Sequence, residues 1–315
     1  MKLKKPKFWD SSKFSAWIIL FFPISILFSL FFYIKKLQLP KKFPIPIICV
    51  GNIYLGGTGK TPLTLEIFKI TKLLGKKPAF VKKYYDYLQD EITMLEKIGE
   101  TFVSEKRIEA IESLIKNENN LAILDDGFQD FTINKNLSIV CFNQKQWIGN
   151  GFVIPSGPLR EKLSAIKRAD CIVINGQADI KIENEIYKKN KNIEIYYSKY
   201  KPLDINKFKN KIIIAFSGIG NPANFFDLLR ENNLLLKETI YYPDHYNFSK
   251  IELDTLINKA EVNNAILLTT EKDYSRIDDN YKKNIEFLKI ELKIENKNSF
   301  IELIKKKYEN NKIFF

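Results

Sequence analysis

An apolar stretch at residues 45–50 runs into Gly51, and a loop carrying Gly56, Gly57, Thr58, Gly59, Lys60, Thr61 and Pro62 then hands the chain to a helix-periodic segment. Strand, glycine-rich loop and helix in that order restrict the fold more than any other feature. They form the opening of a βαβ unit and leave backbone N–H groups converging at a helix N-terminus. The loop's composition is that of a triphosphate cradle: glycines let the backbone approach phosphate, Lys60 can extend to the β- and γ-phosphates, and the Thr61 hydroxyl can ligate Mg²⁺. Pro62 suits the first helical turn, where a missing N–H costs nothing. Tyr54 stands where the common G-x-x-x-x-G-K-[ST] pattern has its first glycine, and an ordinary glycine turn before a helix is the alternative reading of the loop.

Beyond the loop, Leu63, Ile67, Ile70 and Leu74 mark one helical face, Gly75 ends it, and residues 78–81 begin a second strand. The alternation continues through helices at 90–99 and 106–116 and strands at 121–124, 137–142 and 171–175. Strands alternating with helices predict a parallel sheet covered on both faces, an α/β fold of the P-loop NTPase kind. The polar stretch 176–210 is a boundary, after which residues 211–216 start a second, smaller α/β domain with helices at 222–231 and 250–259 and a strand at 265–268. The expected division is 1–36, an N-terminal membrane-associating segment; 37–207, the phosphate-loop domain; and 208–315, the smaller domain, whose last helix at 299–308 can pack on either. A chain of 315 residues with 45% hydrophobic content has the material for two cores.

Between Phe14 and Ile34 lie 21 residues without a charge, about the length that crosses a hydrocarbon core. No small-residue cleavage site follows, so the run is not read as a removed signal. Lysines flank both ends, with Lys2, Lys4, Lys5, Lys7 and Lys13 before and Lys35, Lys36, Lys41 and Lys42 after, which leaves the positive-inside rule balanced. Pro23 interrupts the run. A kinked helix lying on the cytosolic leaflet, its lysines on anionic headgroups, is therefore preferred to a true span. The net charge of +13 is mostly lysine and selects no partner by itself. Cys49, Cys141 and Cys171 sit singly in apolar runs, without metal-ligand spacing, and imply neither a disulfide nor zinc. No basic motif with interleaved aromatics points to nucleic acid.

Several residues can carry chemistry. The strand at 121–124 ends in Asp125 and Asp126, about 65 residues after Lys60, which is where a P-loop protein holds Mg²⁺ directly or through water; an Asp-Gly turn with Gly127 is the alternative. His245 is the only histidine, beside Asp244, and a lone histidine is more often structural. Arg160 and Glu161 follow a rigid Pro155–Pro158 turn, and with only five arginines among 50 basic residues, Arg160 points to phosphate contact or else to a surface Arg–Glu pair. Residues 217–222 form a second anion-binding turn or a plain strand-to-helix connection.

Together these pieces resemble the tetraacyldisaccharide 4′-kinase family, the lipid A 4′-kinases. The resemblance rests on Val50–Ile53 with Gly56–Pro62, Asp90-Glu91, Asp125–Gln129, Pro155–Glu161, Ser217–Pro222, Asp244–Tyr246 and Thr270–Asp273. It implies transfer of the γ-phosphoryl group of ATP to the 4′-hydroxyl of an acylated glucosamine disaccharide 1-phosphate, giving lipid IVA at the cytosolic face of the inner membrane, with membrane lipids as neighbours and neither nucleic acid nor an obligate protein partner. It implies that Thr58, Lys60 and Thr61 hold triphosphate and Mg²⁺, that Asp125 and Asp126 are the metal-binding carboxylates, and that Asp90 is the catalytic base. His245, from the second domain, would pair with Asp90 as the domains close, and Glu91, Gln129, Arg160 and Glu161 would line the cleft. The family also lacks glycine at the position of Tyr54.

The chain departs from that pattern in three places. Lys82-Lys83-Tyr84-Tyr85-Asp86 replaces the usual Ser-Arg-Gly-Tyr-Gly, the loop before Asp90 shrinks to Tyr87-Leu88-Gln89, and Asp130 replaces a histidine. The rival reading is a membrane-associated P-loop ATPase of the partitioning or signal-recognition class, whose loops commonly carry lysine where this chain has Leu55.

Overall fold

In the computed structural model, residues 5–11 and 15–309 are described; Lys2, Lys4, Lys13 and Phe14 lie outside them. Helix α1 (Ala16–Lys35) is followed by β1 (Ile47–Gly51), α2 (Lys60–Leu73), β2 (Pro78–Lys83), α3 (Gln89–Glu96), β3 (Thr101–Ser104), α4 (Arg107–Lys116), β4 (Leu121–Asp125) and β5 (Leu137–Asn143). The chain continues as β6 (Cys171–Asn175), α5 (Ile180–Tyr187), β7 (Glu194–Pro202), β8 (Ile212–Ser217), α6 (Pro222–Glu231), β9 (Leu235–Tyr241), α7 (Lys250–Val262) and β10 (Ile266–Thr270). It closes with α8 (Glu271–Tyr274), α9 (Asp279–Lys282), β11 (Ile285–Leu288), β12 (Ile290–Ile294) and α10 (Lys297–Glu309). Among the described residues these elements form two compact units, one of 5–84, 98–199 and the residues from 292 on, the other of 85–97 with 200–291.

The larger unit is built on a sheet of order β12-β7-β6-β5-β1-β4-β2-β3. Strand β1 pairs in parallel with β4 on one side and β5 on the other, so the strand order reverses at β1. Every residue of β1, β4 and β5 is buried, as expected of parallel strands covered on both faces, which read as continuous rather than alternating apolar runs. The reversal leaves a crevice outside the carboxyl ends of the strands, the place where open α/β sheets bind ligands. The glycine loop after β1, Lys82 near the end of β2 and the two aspartates at the end of β4 all lie at that end. Helix α10 belongs to this unit: Phe300 is fully buried with its ring 5.0 Å from that of Tyr196, and Lys297 pairs with Glu66 at 2.6 Å.

Helix α1 buries only Ile18 and Ser25 of its twenty residues. Ser25 Oγ lies 2.9 Å from the Val153 carbonyl and 2.8 Å from Ser156 Oγ, within hydrogen-bond reach of both, and Ser156 Oγ lies 3.1 Å from the Ile18 carbonyl. Trp17, Ile19, Leu20, Ile24, Leu27 and Tyr33 are exposed. Pro23 is accommodated inside the helix.

The smaller unit has a four-stranded sheet of order β11-β10-β8-β9 in which every pairing is parallel. Ile213, Ala215, Phe225, Phe226 and Leu268 fill one side and Ile214, Phe216, Leu253 and Leu267 the other. Helix α3, contributed from the middle of the preceding unit's sequence, packs on α8. Strands β3, β7, β9, β11 and β12 are additions to the sequence expectation: they are short or carry several charged residues, so their apolar signal is weak.

Candidate functional site

Gly56 and Gly59 take φ of +132° and +94°, backbone conformations that side chains with a Cβ rarely adopt, and Gly59 caps α2 from the left-handed region. The loop is shaped from within. Asn52, fully buried, donates from Nδ2 to Thr58 Oγ1 at 3.0 Å and to the Gly56 carbonyl at 3.3 Å. Its Oδ1 has no hydrogen-bond partner among the described residues. Tyr54, at the position of the absent glycine, is fully buried against Val153, Leu159 and Phe28, and its hydroxyl donates to Asp10 at 2.7 Å.

Arg160 closes a fork on Asp126, with Nη1 2.9 and 3.0 Å from the two carboxylate oxygens and Nη2 at 3.1 Å. Lys60 lies 3.8 Å from the same carboxylate. Burial works to raise the Asp126 pKa, but Lys60, Arg160, Lys82 and Arg107 together hold it far below the usual carboxylate range. Asp125 is fully buried and accepts from Thr64 Oγ1 at 3.1 Å through one oxygen and from the Lys82 ammonium through the other. Arg107 Nη2 donates to the Asp126 carbonyl at 2.7 Å, and its Nη1 pairs with Asp130 at 3.2 Å. The carboxylate that replaces a histidine is thus the counter-ion of the arginine that clamps the Asp125–Asp126 backbone. Gln129 Nε2 donates to the Asn52 carbonyl at 2.8 Å and to Glu161 at 3.3 Å, and Glu161 also pairs with Arg168 at 2.7 Å and with Lys36, just beyond α1, at 3.0 Å.

Asp90 and Glu91 occupy the first turn of α3, where the helix dipole favours carboxylates. The sequence placed Asp90 in the phosphate-loop domain, but residues 85–97 pack with 200–291, so its pairing with His245 is internal to the smaller unit. His245 Nδ1 lies 3.1 Å from both Asp90 oxygens. With Nδ1–H donating to Asp90, Nε2 is left to accept from Lys272 at 3.3 Å. Lys272 also pairs with Glu91 at 2.9 Å, and Arg276 Nε stands 3.5 Å from Asp90. Burial pushes the Asp90 pKa up, but the His245 hydrogen bond and the charges of Lys272 and Arg276 outweigh it and hold the carboxyl below its ordinary value. His245 sits at φ +54° and its N–H donates to the Gly218 carbonyl at 3.0 Å.

The turn at 217–222 resolves as a strand-to-helix connection. The Gly218 N–H, the group that would face an anion, donates to both Asp273 oxygens at 3.1 and 3.0 Å, and Asp273 is further held by Ser217 and Thr270.

Sequence reasoning assigned no role to Asn52, Lys82, Arg107, Lys272 or Arg276. The scarcity of arginine that singled out Arg160 applies equally to Arg107 and Arg276. Lys82 leaves a different trace, a charged residue prolonging the apolar strand Ala79-Phe80-Val81.

A family model described as Tetraacyldisaccharide-1-P 4′-kinase matches residues 17–309. The tetraacyldisaccharide 4′-kinase of Pelagibacter ubique is 43% identical over 314 residues, covering 98% of this chain and 100% of that protein. The one of Rickettsia felis is 35% identical over 331 residues, covering 98% of each. Among solved structures, LpxK from Aquifex aeolicus in complex with ATP shares the fold, with a TM-score of 0.70 and 25% identity over 92% of this chain and 99% of that one.

Proposed function

The chain belongs to the tetraacyldisaccharide 4′-kinase family, and from that premise we propose how its residues divide the work of a lipid A 4′-kinase. The enzyme is a phosphotransferase that phosphorylates the 4′-hydroxyl of an acylated disaccharide 1-phosphate. ATP would be the donor, with its triphosphate on the loop Gly56, Gly57, Thr58, Gly59, Lys60 and Thr61. Phosphoryl transfer asks the protein for positioning and charge neutralisation more than for covalent chemistry. Lys60 and the Arg160 fork, both within reach of one carboxylate, are the cations suited to that task.

Mg²⁺ fits the donor set. Thr61 lies one turn before Thr64, which touches Asp125, and threonine and carboxylate oxygens are the hard ligands Mg²⁺ takes. Thr61, Asp125 and Asp126 would hold the ion. It would supply neutralisation of the β- and γ-phosphate charge.

Asp90 would accept the proton of the 4′-hydroxyl. The observation that carries this assignment is a buried carboxylate kept ionised by His245, Lys272 and Arg276. Its low basicity suits a loose transition state, in which the proton leaves late and the carboxylate mainly orients the hydroxyl. His245 would fix the carboxylate's direction. Glu91, Gln129, Arg160 and Glu161 would act at substrate or at its margin.

Helix α1 is long and apolar enough to cross a membrane, yet its middle, Ser25, is hydrogen-bonded to residues 153–156 of the larger unit. A span whose midpoint sits in bilayer could not keep that contact. The helix would therefore lie in the cytosolic leaflet of the inner membrane, where acyl chains and headgroups are both within reach. A recess of about 440 Å³ beside α1, with Phe22, Ile26, Phe152 and Leu163 on its walls and Lys162 and Lys189 among its lining, suits an acylated, phosphorylated acceptor. The partitioning-class ATPase reading is not favoured by the family.

Detergent-purified protein given γ-labelled ATP, Mg²⁺ and tetraacyldisaccharide 1-phosphate should move label into lipid, and Lys60→Ala should abolish it. Label released only as free phosphate would sink the kinase reading.

A further inference from the structure

Strand β2 lies between β3 and β4, and its register sets Val81 against Leu124. The next pair along is therefore Lys82 and Asp125. Both side chains are buried, 2% and 0% exposed, and the ammonium contacts the carboxylate oxygen that Thr64 leaves open. A fully buried lysine is rare unless a carboxylate compensates it, and the converse holds for the aspartate. The partner here, Asp125, is one of the carboxylates that would hold Mg²⁺. Among the groups gathered at this end of the sheet, Lys60, Lys82, Arg107 and Arg160 outnumber Asp125, Asp126 and Asp130 by one.

We propose that Lys82 is a positioning residue of the phosphate site, a resident cation that fixes Asp125 and offsets its charge, so that nucleotide binding depends less on a divalent ion than it would beside a bare carboxylate. This rests on the reading of the loop as the ATP site. A triphosphate arriving without metal meets two carboxylates at the end of β4. One is forked by Arg160, which surrounds it with donors; the other pairs, among the described residues, with the cation Lys82, and the Thr64 hydroxyl that also touches it carries no charge. Without Lys82, the Asp125 charge in this buried setting would act on the phosphates with little screening. The sequence departure at Lys82 thus acquires a function: it carries inside the strand part of the charge that the metal supplies.

The test is binding of a fluorescent ATP analogue to the full chain, titrated with Mg²⁺ and again with EDTA, in wild type, Lys82→Gln and Lys82→Arg. Glutamine keeps a donor for Asp125 and removes the charge. Its metal-free affinity is expected to fall about tenfold more than its affinity with Mg²⁺, while arginine holds the ratio of the two affinities near wild type. An unchanged ratio in Lys82→Gln, or an arginine variant that behaves like glutamine, overturns the proposal and leaves Lys82 a structural ion pair. Should Lys82→Gln fail to fold, the double variant Lys82→Gln with Asp125→Asn removes both charges; it should bind metal-free nucleotide within about threefold of wild type, and a tenfold loss there also overturns the proposal. A wild-type protein that binds no nucleotide under either condition refutes the loop reading instead.

Discussion

His245 occupies the left-handed region at φ +54°, a conformation that costs about 1–3 kcal/mol in a non-glycine residue and persists only where its surroundings hold it. Its N–H bond to Gly218 and its ring contact with Asp90 are that hold. A Cβ at position 218 would meet the Pro243 carbonyl and Tyr246 at 3.0 Å, so the turn that aims the imidazole has little slack. Asp90→Asn should lower kcat by about 10²- to 10⁴-fold, His245→Ala by less, and neither should change nucleotide affinity by more than about threefold. Steady-state label transfer beside nucleotide titration checks this, and full activity in either variant removes that residue from the mechanism. The pair was legible in the sequence through the family pattern alone. A lone histidine 155 positions from its aspartate has no local signal. Lys272 and Arg276 were less legible still, because only the packing of α3 on α8 brings them to Asp90.

At the scale of the element, α1 and the phosphate loop contrast. The loop's geometry follows from its own residues, since positive φ at Gly56 and Gly59 and the Asn52–Thr58 bond are local. The length and apolarity of α1 are equally plain in the sequence, but its attitude depends on Ser25 meeting Ser156, 131 residues away. On the proposed function, a helix docked at mid-length would insert sideways. Trp17, 56% exposed near the start of α1, should therefore be quenched in anionic vesicles by lipids brominated near the headgroup and little by lipids brominated near the chain ends. Efficient deep quenching would restore the spanning reading. Vesicle binding should also weaken as salt rises, because Lys35, Lys36, Lys41 and Lys42 would act on headgroups through a screened field.

For the whole molecule, acid should be the destabilising direction. Asp90 and Asp126 have folded pKa values below the ordinary aspartate value. Their stabilising share is complete above about pH 4, where unfolded-state aspartates are also ionised, and is lost as pH falls through the folded values, because the unfolded chain then binds more protons. Lys272 shifts the other way: burial opposes its charge, but Glu91, Asp244 and Asp90 raise its pKa above 10.5, so its share is lost only in strong alkali. The midpoint of thermal unfolding should thus change little on account of these groups between about pH 5 and 9 and drop steeply below about pH 4, with Asp126→Asn flattening the drop. A steep decline already between pH 7 and 5 would contradict it.

The sequence by itself determined the α/β class, the glycine loop between strand and helix, the paired carboxylates ending a strand and the apolar helix, because each is written in short-range periodicity or in residues adjacent along the chain. Tertiary structure alone decided which charges meet. The Lys82–Asp125 pair, the Arg107–Asp130 clamp, the Arg160 fork and the company of Asp90 arise from neighbouring strands and helices far apart in sequence. A buried charge needs a partner, but the chain's order does not say which one the fold will deliver.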